Sequence, residues 1–171
     1  PRLYIATEND DPAKVTDKDI VAGIRKGNYQ ISNGPFIKFT VNGMPPGSIV
    51  TDKDGTIDCH LEVFAPPWVH TSYIEVKMDG IFLKRTIQPP STAVKRFPGE
   101  TSIEGADNFR LKIKKDSIIT VEVVGRSPLN MHPVVSAYPA GQPPLSLAVT
   151  TPIFIDFDGN GKYDPPSRDQ I

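Results

Sequence analysis

Cysteine is almost missing: the chain of 171 residues has one, Cys59. That excludes an intrachain disulfide framework and a cysteine-ligated zinc site. No run of about eighteen apolar residues occurs, so no segment is long enough to span a bilayer as a helix. An excess of one charge is missing too. Nineteen basic residues meet 20 acidic ones, for a formal net charge of -1. This argues against nucleic-acid binding by bulk electrostatics and against a highly charged disordered chain. The three histidines, His60, His70 and His132, form no His-x-His or HExxH pair, and zinc or two-metal catalysis needs several convergent ligands. There is no nucleophile elbow, phosphate loop or dinucleotide fingerprint. Leucine is scarce, at seven.

Valine and isoleucine are abundant instead, at 31 together, and proline reaches 18. β-Branched residues fit a pleated, half-buried surface, and proline at this density marks turns and strand edges. The composition points to one all-β domain, long enough to bury its own core.

One helix is expected. Thr16-Asp17-Lys18-Asp19 has the hydroxyl-x-x-acid form of a helix start. Ile20, Val21 and Ile24 follow on one face, Arg25 and Lys26 suit the negative end, and Gly27 takes the left-handed stop. After Gly27 the period becomes two. Phe36 to Val41, Ile57 to Phe64, Tyr73 to Met78, Ile81 to Leu83, Phe109 to Lys114 and Ile118 to Val124 read as strands, with Asp79-Gly80 as a hairpin turn. Leu147 to Ile155 is a last apolar run. Seven or eight strands with turn signals between them predict a two-sheet antiparallel sandwich, immunoglobulin-like in type. Residues 1–30 read as a lead segment with a linker helix, and 31–171 as the sandwich. Ser127 to Pro144, rich in proline, reads as a long irregular loop.

The most specific chemistry lies near the end. Asp156, Asp158 and Asn160 fit positions one, three and five of a D-x-[DN]-x-[DN]-G calcium loop, and Gly161 falls at the sharp turn of position six. The Lys162 carbonyl and Asp164 take positions seven and nine. Calcium takes about six to eight oxygens, and alternate side chains of a tight loop converge on one point. Position twelve departs from the pattern: it is Ser167, so the bidentate glutamate is absent, with Asp169 or water left to fill the gap. Pro165-Pro166 denies an exiting helix, so this is not an EF-hand. A metal-free turn held by Asx hydrogen bonds fits the same residues. Either way the loop fastens the tail to the last strand, and any calcium is structural.

Other residues read more plainly. Cys59 alternates with Ile57 and Leu61 and is expected to be a buried thiol. Arg110, Lys112 and Lys114 mark the solvated side of a strand, and the interleaved aromatics of a nucleic-acid platform are missing. Trp68, in Ala65-Pro66-Pro67-Trp68-Val69, covers a core end, meets a neighbouring domain or stacks on a sugar.

A family resemblance adds to this. Asp19 to Phe36, with its basic-residue-plus-glycine step before Ser32-Asn33-Gly34-Pro35, resembles the junction that follows the catalytic domain in metallohydrolases of the polymerase-and-histidinol-phosphatase (PHP) type, CehA/McbA-like branch. Pro1-Arg2-Leu3-Tyr4-Ile5 is similar to the step that closes that family's barrel. Ala65 to Val69, Ile74-Glu75-Val76 with Asp79-Gly80, and Pro152 to Asp156 with the Asp158-Gly159 turn are similar to the β-rich region beyond it. The resemblance implies a non-catalytic C-terminal accessory domain, with the family's metal ligands upstream of Pro1 and none in this chain. It also implies a partner, the upstream catalytic domain of the same polypeptide, met through Arg25, Ser32, Asn33, Gly34 and Trp68. The chain opens without Met or a signal peptide, which reads as a fragment. The compartment stays open, with a leaning toward the periplasm or secretion. Two other readings stand beside this one: an extracellular carbohydrate- or ligand-binding module with a calcium loop, and a stand-alone hydrolase whose acids and histidines meet only in space.

Overall fold

Every second residue of Thr56–Phe64 is buried: Ile57, Cys59, Leu61 and Val63 point inward while Asp58, His60 and Glu62 do not. The same period organises Phe36–Val41, Tyr73–Met78 and Ser117–Val124. Two sheets with one apolar face each close on one another, because burying each large aliphatic side chain contributes about 1.5–3 kcal/mol.

The computed structural model describes residues 1–9, 11–65, 69, 71, 73–83, 94–97, 100–103, 107–125 and 145–165. In chain order the elements are β1 (Arg2–Ile5), α1 (Asp17–Lys26), β2 (Tyr29–Ser32), β3 (Phe36–Val41), β4 (Ile49–Thr51), β5 (Thr56–Phe64), β6 (Tyr73–Met78), β7 (Ile81–Leu83), β8 (Val94–Phe97), β9 (Glu100–Ile103), β10 (Asp107–Lys112), β11 (Ser117–Val124), β12 (Leu147–Thr150) and β13 (Ile153–Asp156). The larger sheet runs β1-β2-β12-β11-β13-β4, with β6 on the other side of β11 and β7 beyond it. The smaller sheet pairs β3 and β10 with β5, and also carries β9 and β8. The two-sheet sandwich expected from the periodicity is thus the observed fold.

Its core joins Ile37, Phe39 and Val41 of β3 and the inward row of β5 to Ile74 and Val76 of β6, Ile119, Val121 and Val123 of β11, Ala148, Ile153 and Ile155. Cys59 lies in that core, and burial, with Asp58 beside it, pushes its thiol pKa up to about 12.

Three details depart from the expectation. The run 147–155 is two strands, because Thr151-Pro152 interrupts it. Both halves pair with the same β11, at Val124↔Leu147 and at Ser117↔Ile155. Thr151 turns outward there, its hydroxyl donating to the Gly27 and Tyr29 carbonyls. One pair is parallel, β13 with β4, through Ile155↔Val50. And the boundary drawn after residue 30 falls inside β2. β1 pairs with β2 at Leu3↔Ile31, and β2 pairs with β12 at Ile31↔Val149. The lead segment is therefore the edge of the larger sheet, with α1 as an excursion between its two strands.

α1 forms where the capping signal stood. The Thr16 N–H and hydroxyl both donate to the Asp19 carboxylate, at 2.8 and 2.7 Å, and these bonds hold the Asp19 carboxyl below the usual carboxylate range. Gly27 ends the helix at φ 71°. Its only buried residue is Gly23, where a Cβ would lie 2.5 Å from Ile5 Cγ2 and 2.7 Å from the Ala6 carbonyl oxygen. The missing side chain lets the helix backbone rest directly on β1.

Candidate functional site

The C-terminal loop leaves β13 at Asp156, which is 0 % exposed. Its Oδ1 accepts from the Gly159 and Asn160 amides, at 2.8 and 3.1 Å. Its Oδ2 accepts from the Thr51 hydroxyl and the Gly161 amide, at 2.8 and 2.9 Å. Burial opposes ionisation of this carboxyl. The Thr51 hydroxyl and the three amides outweigh it and hold the pKa below the usual carboxylate range. A carboxylate offers about four lone-pair sites, and all four are in use, so Asp156 is the hub around which the loop winds.

The remaining loop ligands are less committed. Asp158 Oδ1 accepts from the Asn160 amide at 3.0 Å. The Asn160 side-chain amide donates to Asp164 at 2.7 Å, and its Oδ1 accepts from the Lys162 N–H at 2.8 Å. Lys162 is exposed, and Lys53 lies across Gly159, where a Cβ would overlap its Cε.

A residue that the sequence did not single out joins them. Asp116, from the link between β10 and β11, accepts from the Phe157 amide through Oδ1 and from the Asp164 amide through Oδ2, each at 2.8 Å. One oxygen each of Asp116, Asp156 and Asp158 lie within 4.8 Å of one another. Two oxygens on opposite sides of a calcium ion are about 4.6–5.2 Å apart, twice the metal–oxygen distance, so the spacing is one an ion could bridge, and an ion held there would displace one of the four donors from Asp156. Asp116 thus brings a carboxylate to the loop from outside it. Ser167 and Asp169 lie outside the described residues. Nearby, Tyr163 packs on Phe154 with centroids 5.4 Å apart, and burial, with Asp79 and Asp116 close by, raises its pKa.

The expected interface residues are dispersed. Arg25 is exposed in the last turn of α1. Ser32 is buried, its hydroxyl donating to the Pro35 carbonyl and accepting from the Gly34 amide. Asn33 spends its side chain on β12, accepting from the Leu147 N–H at 2.6 Å and donating to the Leu145 carbonyl at 2.7 Å. At Gly34 a Cβ would lie 2.8 Å from Val69 Cγ1. Ser32, Asn33 and Gly34 therefore lock the turn between β2 and β3 from within, with their polar groups engaged inside the chain. Trp68, His70 and His132 lie outside the described residues. His60 Nδ1 is 2.8 Å from Asn108 Oδ1, on the solvent side of β5 and β10, and Arg110 pairs with Asp58 at 2.7 Å.

What sequence reasoning missed is a surface. Of the ten exposed large hydrophobics among the described residues, seven are Leu3, Ile20, Val21, Ile24, Ile31, Leu145 and Leu147. Leu3 and Ile31 are cross-strand neighbours, and Ile31 also meets Val149. Ile5 and Leu3 alternate onto the same outer side, and Ile5 is where α1 rests. Apolar residues are thus left exposed both on the outer face of β1-β2-β12 and on α1, which rests on β1. The signal was present in Gly23: a helix that buries a glycine at its contact leaves its larger apolar residues elsewhere.

No protein-family model, curated protein or solved structure matches the chain.

Proposed function

We propose that this chain is a non-catalytic accessory β-sandwich of a PHP-type metal-dependent hydrolase, docking on the catalytic domain and shaping its cleft. The observation that carries the reading is the gathering of seven exposed large hydrophobics on α1 and the outer face of β1-β2-β12. Exposed apolar side chains gathered on neighbouring elements mark a contact site. The contact lies on the element that resembles the family's inter-domain junction. Ile31, at 49 % exposed, is the most exposed of the seven.

The test mixes this chain with the catalytic domain encoded upstream of Pro1 and follows association by calorimetry. Ile31→Asp, at an exposed position, is expected to leave the fold intact and weaken association at least about tenfold, the loss of one buried aliphatic side chain. An upstream reading frame without a histidine-rich barrel, or two pieces that ignore one another, sinks the proposal. A screen for phosphodiesterase and esterase turnover with added Mn²⁺ or Zn²⁺ separates this reading from a stand-alone hydrolase.

A second reading belongs to the terminal loop, as a structural calcium site. Asp116 favours it, since a carboxylate 40 residues away in the chain from Asp156 is brought to the loop. Calcium that binds only the folded form must raise the melting temperature. Asp116→Asn is expected to abolish that rise. Identical melts in millimolar calcium and in chelator remove the ion from the reading. The same loop in a carbohydrate- or ligand-binding module is the competing assignment, separated by whether the catalytic domain or a glycan panel binds.

A further inference from the structure

The larger sheet overhangs the smaller one. β3 is the last strand of the smaller sheet on the side where β2 and then β1 continue the larger. Tyr4 and Gln30, paired across β1 and β2, face inward there. Beyond the β3 edge they border a groove of about 610 Å³, also lined by Phe36, Phe39, Lys38 and His60. The volume is that of a small-ligand site, within about 300–1,000 Å³.

Strand alternation identifies what the edge offers. Successive residues of an antiparallel strand turn their N–H and C=O to opposite sides. Ile37 turns both toward Gln30, whose side-chain amide donates to the Ile37 carbonyl at 2.9 Å and accepts from its N–H at 2.8 Å. Val41 turns the same way and exchanges two bonds with Met44, at 3.0 and 2.8 Å. Phe39 lies between them in the same phase. Neither its N–H nor its C=O has a partner among the described residues. Yet Phe39 is 2 % exposed. More than about nine in ten such buried backbone groups are paired, so this donor and acceptor, at the bottom of a groove, call for a partner beyond the described residues.

We infer that the groove takes a short extended polypeptide segment, added as one further strand beside β3 opposite Phe39. It completes the smaller sheet where the larger already extends past it. Strand addition of this kind draws affinity from main-chain bonds and specificity from alternate side chains. Gln30 and Met44 already cap the flanking positions, so the segment forms one pair of ladder bonds and depends on its side chains for the rest. The residue opposite Phe39 points inward over Tyr4, whose ring meets Phe36 edge-on at 5.5 Å, and it must be apolar. Its neighbours point outward beside Lys38 and Thr40. A carboxylate is favoured next to Lys38, which is exposed. The partner is thus an extended peptide with an apolar residue next to an acidic one.

Amide hydrogen exchange of the whole chain, read by NMR, gives the first test. In the free protein the Phe39 amide exchanges about tenfold or more faster than those of Ile37 and Val41. Equal protection of all three means that the chain fills its own groove, and the inference is wrong. Random seven-residue peptides displayed on phage are then selected on the immobilised chain, and the best binder is synthesised. It is expected to carry the apolar–acidic pair, to slow Phe39 exchange about tenfold, and to bind roughly threefold more weakly to Lys38→Gln. Failure to enrich any peptide, a binder that leaves the Phe39 amide unprotected, or occupancy of the groove only by small ligands without pairing to β3 overturns it.

Discussion

Gln30 and Asp156 do the same job at two places in the larger sheet: one buried side chain supplies the partners that backbone groups lack. Gln30, 7 % exposed, closes the Ile37 N–H and C=O with a bond to each. Gln30→Ala removes both and leaves two buried groups unpaired, at about 1–3 kcal/mol each. The expected cost is about 2–4 kcal/mol, read from chemical denaturation, with Ile37 losing its exchange protection. Asp156 serves four donors, Asp158 only the Asn160 amide and, at 3.2 Å, its side chain. Asp156→Asn is therefore expected to lower the melting temperature well below that of Asp158→Asn. Equal effects would mean that the loop does not wind around Asp156. The partners are mostly near in sequence: Gln30 and Ile37 are seven residues apart, and three of the four donors to Asp156 come from its own loop, with Thr51 alone from distant chain. The sequence shows an Asp-x-Asp-x-Asn-Gly pattern, but not that Thr51 and Asp116 complete it, since each belongs to another strand end.

Helix α1 is the element on which local rules and packing disagree. Its limits, Asp17–Lys26, were legible from Thr16, Asp19 and Gly27, because capping is chemistry between near neighbours. Its orientation was not. Ile20, Val21 and Ile24 share a face by spacing, and that face is left exposed while Gly23 makes the contact. Gly23→Ala should improve intrinsic helix propensity by about 1 kcal/mol. The new Cβ would meet Ile5 and Ala6, however, so the expected result is a helix that detaches from β1, visible as faster amide exchange at Ala6. Strand legibility split in the same way. Long strands with a clean period, such as β5 and β11, stood out. β2, β4 and the break at Thr151-Pro152 did not, because three or four residues carry too little alternation to register and their pairing is set by distant chain.

At the scale of the whole molecule, acid is the expected solvent of this fold. Asp156 and Asp19 both have folded-state pKa values held below their ordinary ones. For a depressed carboxylate, the unfolded chain binds the proton first, so its contribution is complete above the unfolded value of about 3.9 and is lost as pH falls through the folded one. Melting temperature should therefore hold steady from neutrality to about pH 5 and fall below about pH 4. On acidification the Gly161 and Gly159 amides and the first turn of α1 should shift only below the ordinary carboxylate range. In Asp156→Asn the acid fall should be shallower.

The order of strands also sets a timetable. Among the described residues, β1 and β2 join the larger sheet through β12, whose residues come after position 146. A chain emerging from the ribosome thus presents its first hairpin long before the strand that receives it has been made. The β1-β2 pair must wait, unpaired on one side, and β4 must wait longer still, for β13. Such distant pairings belong to slow folders, on the scale of milliseconds to seconds. A nascent chain stalled before Leu147 should leave the Ile31 backbone, which faces Val149 in the finished sheet, without its partner strand.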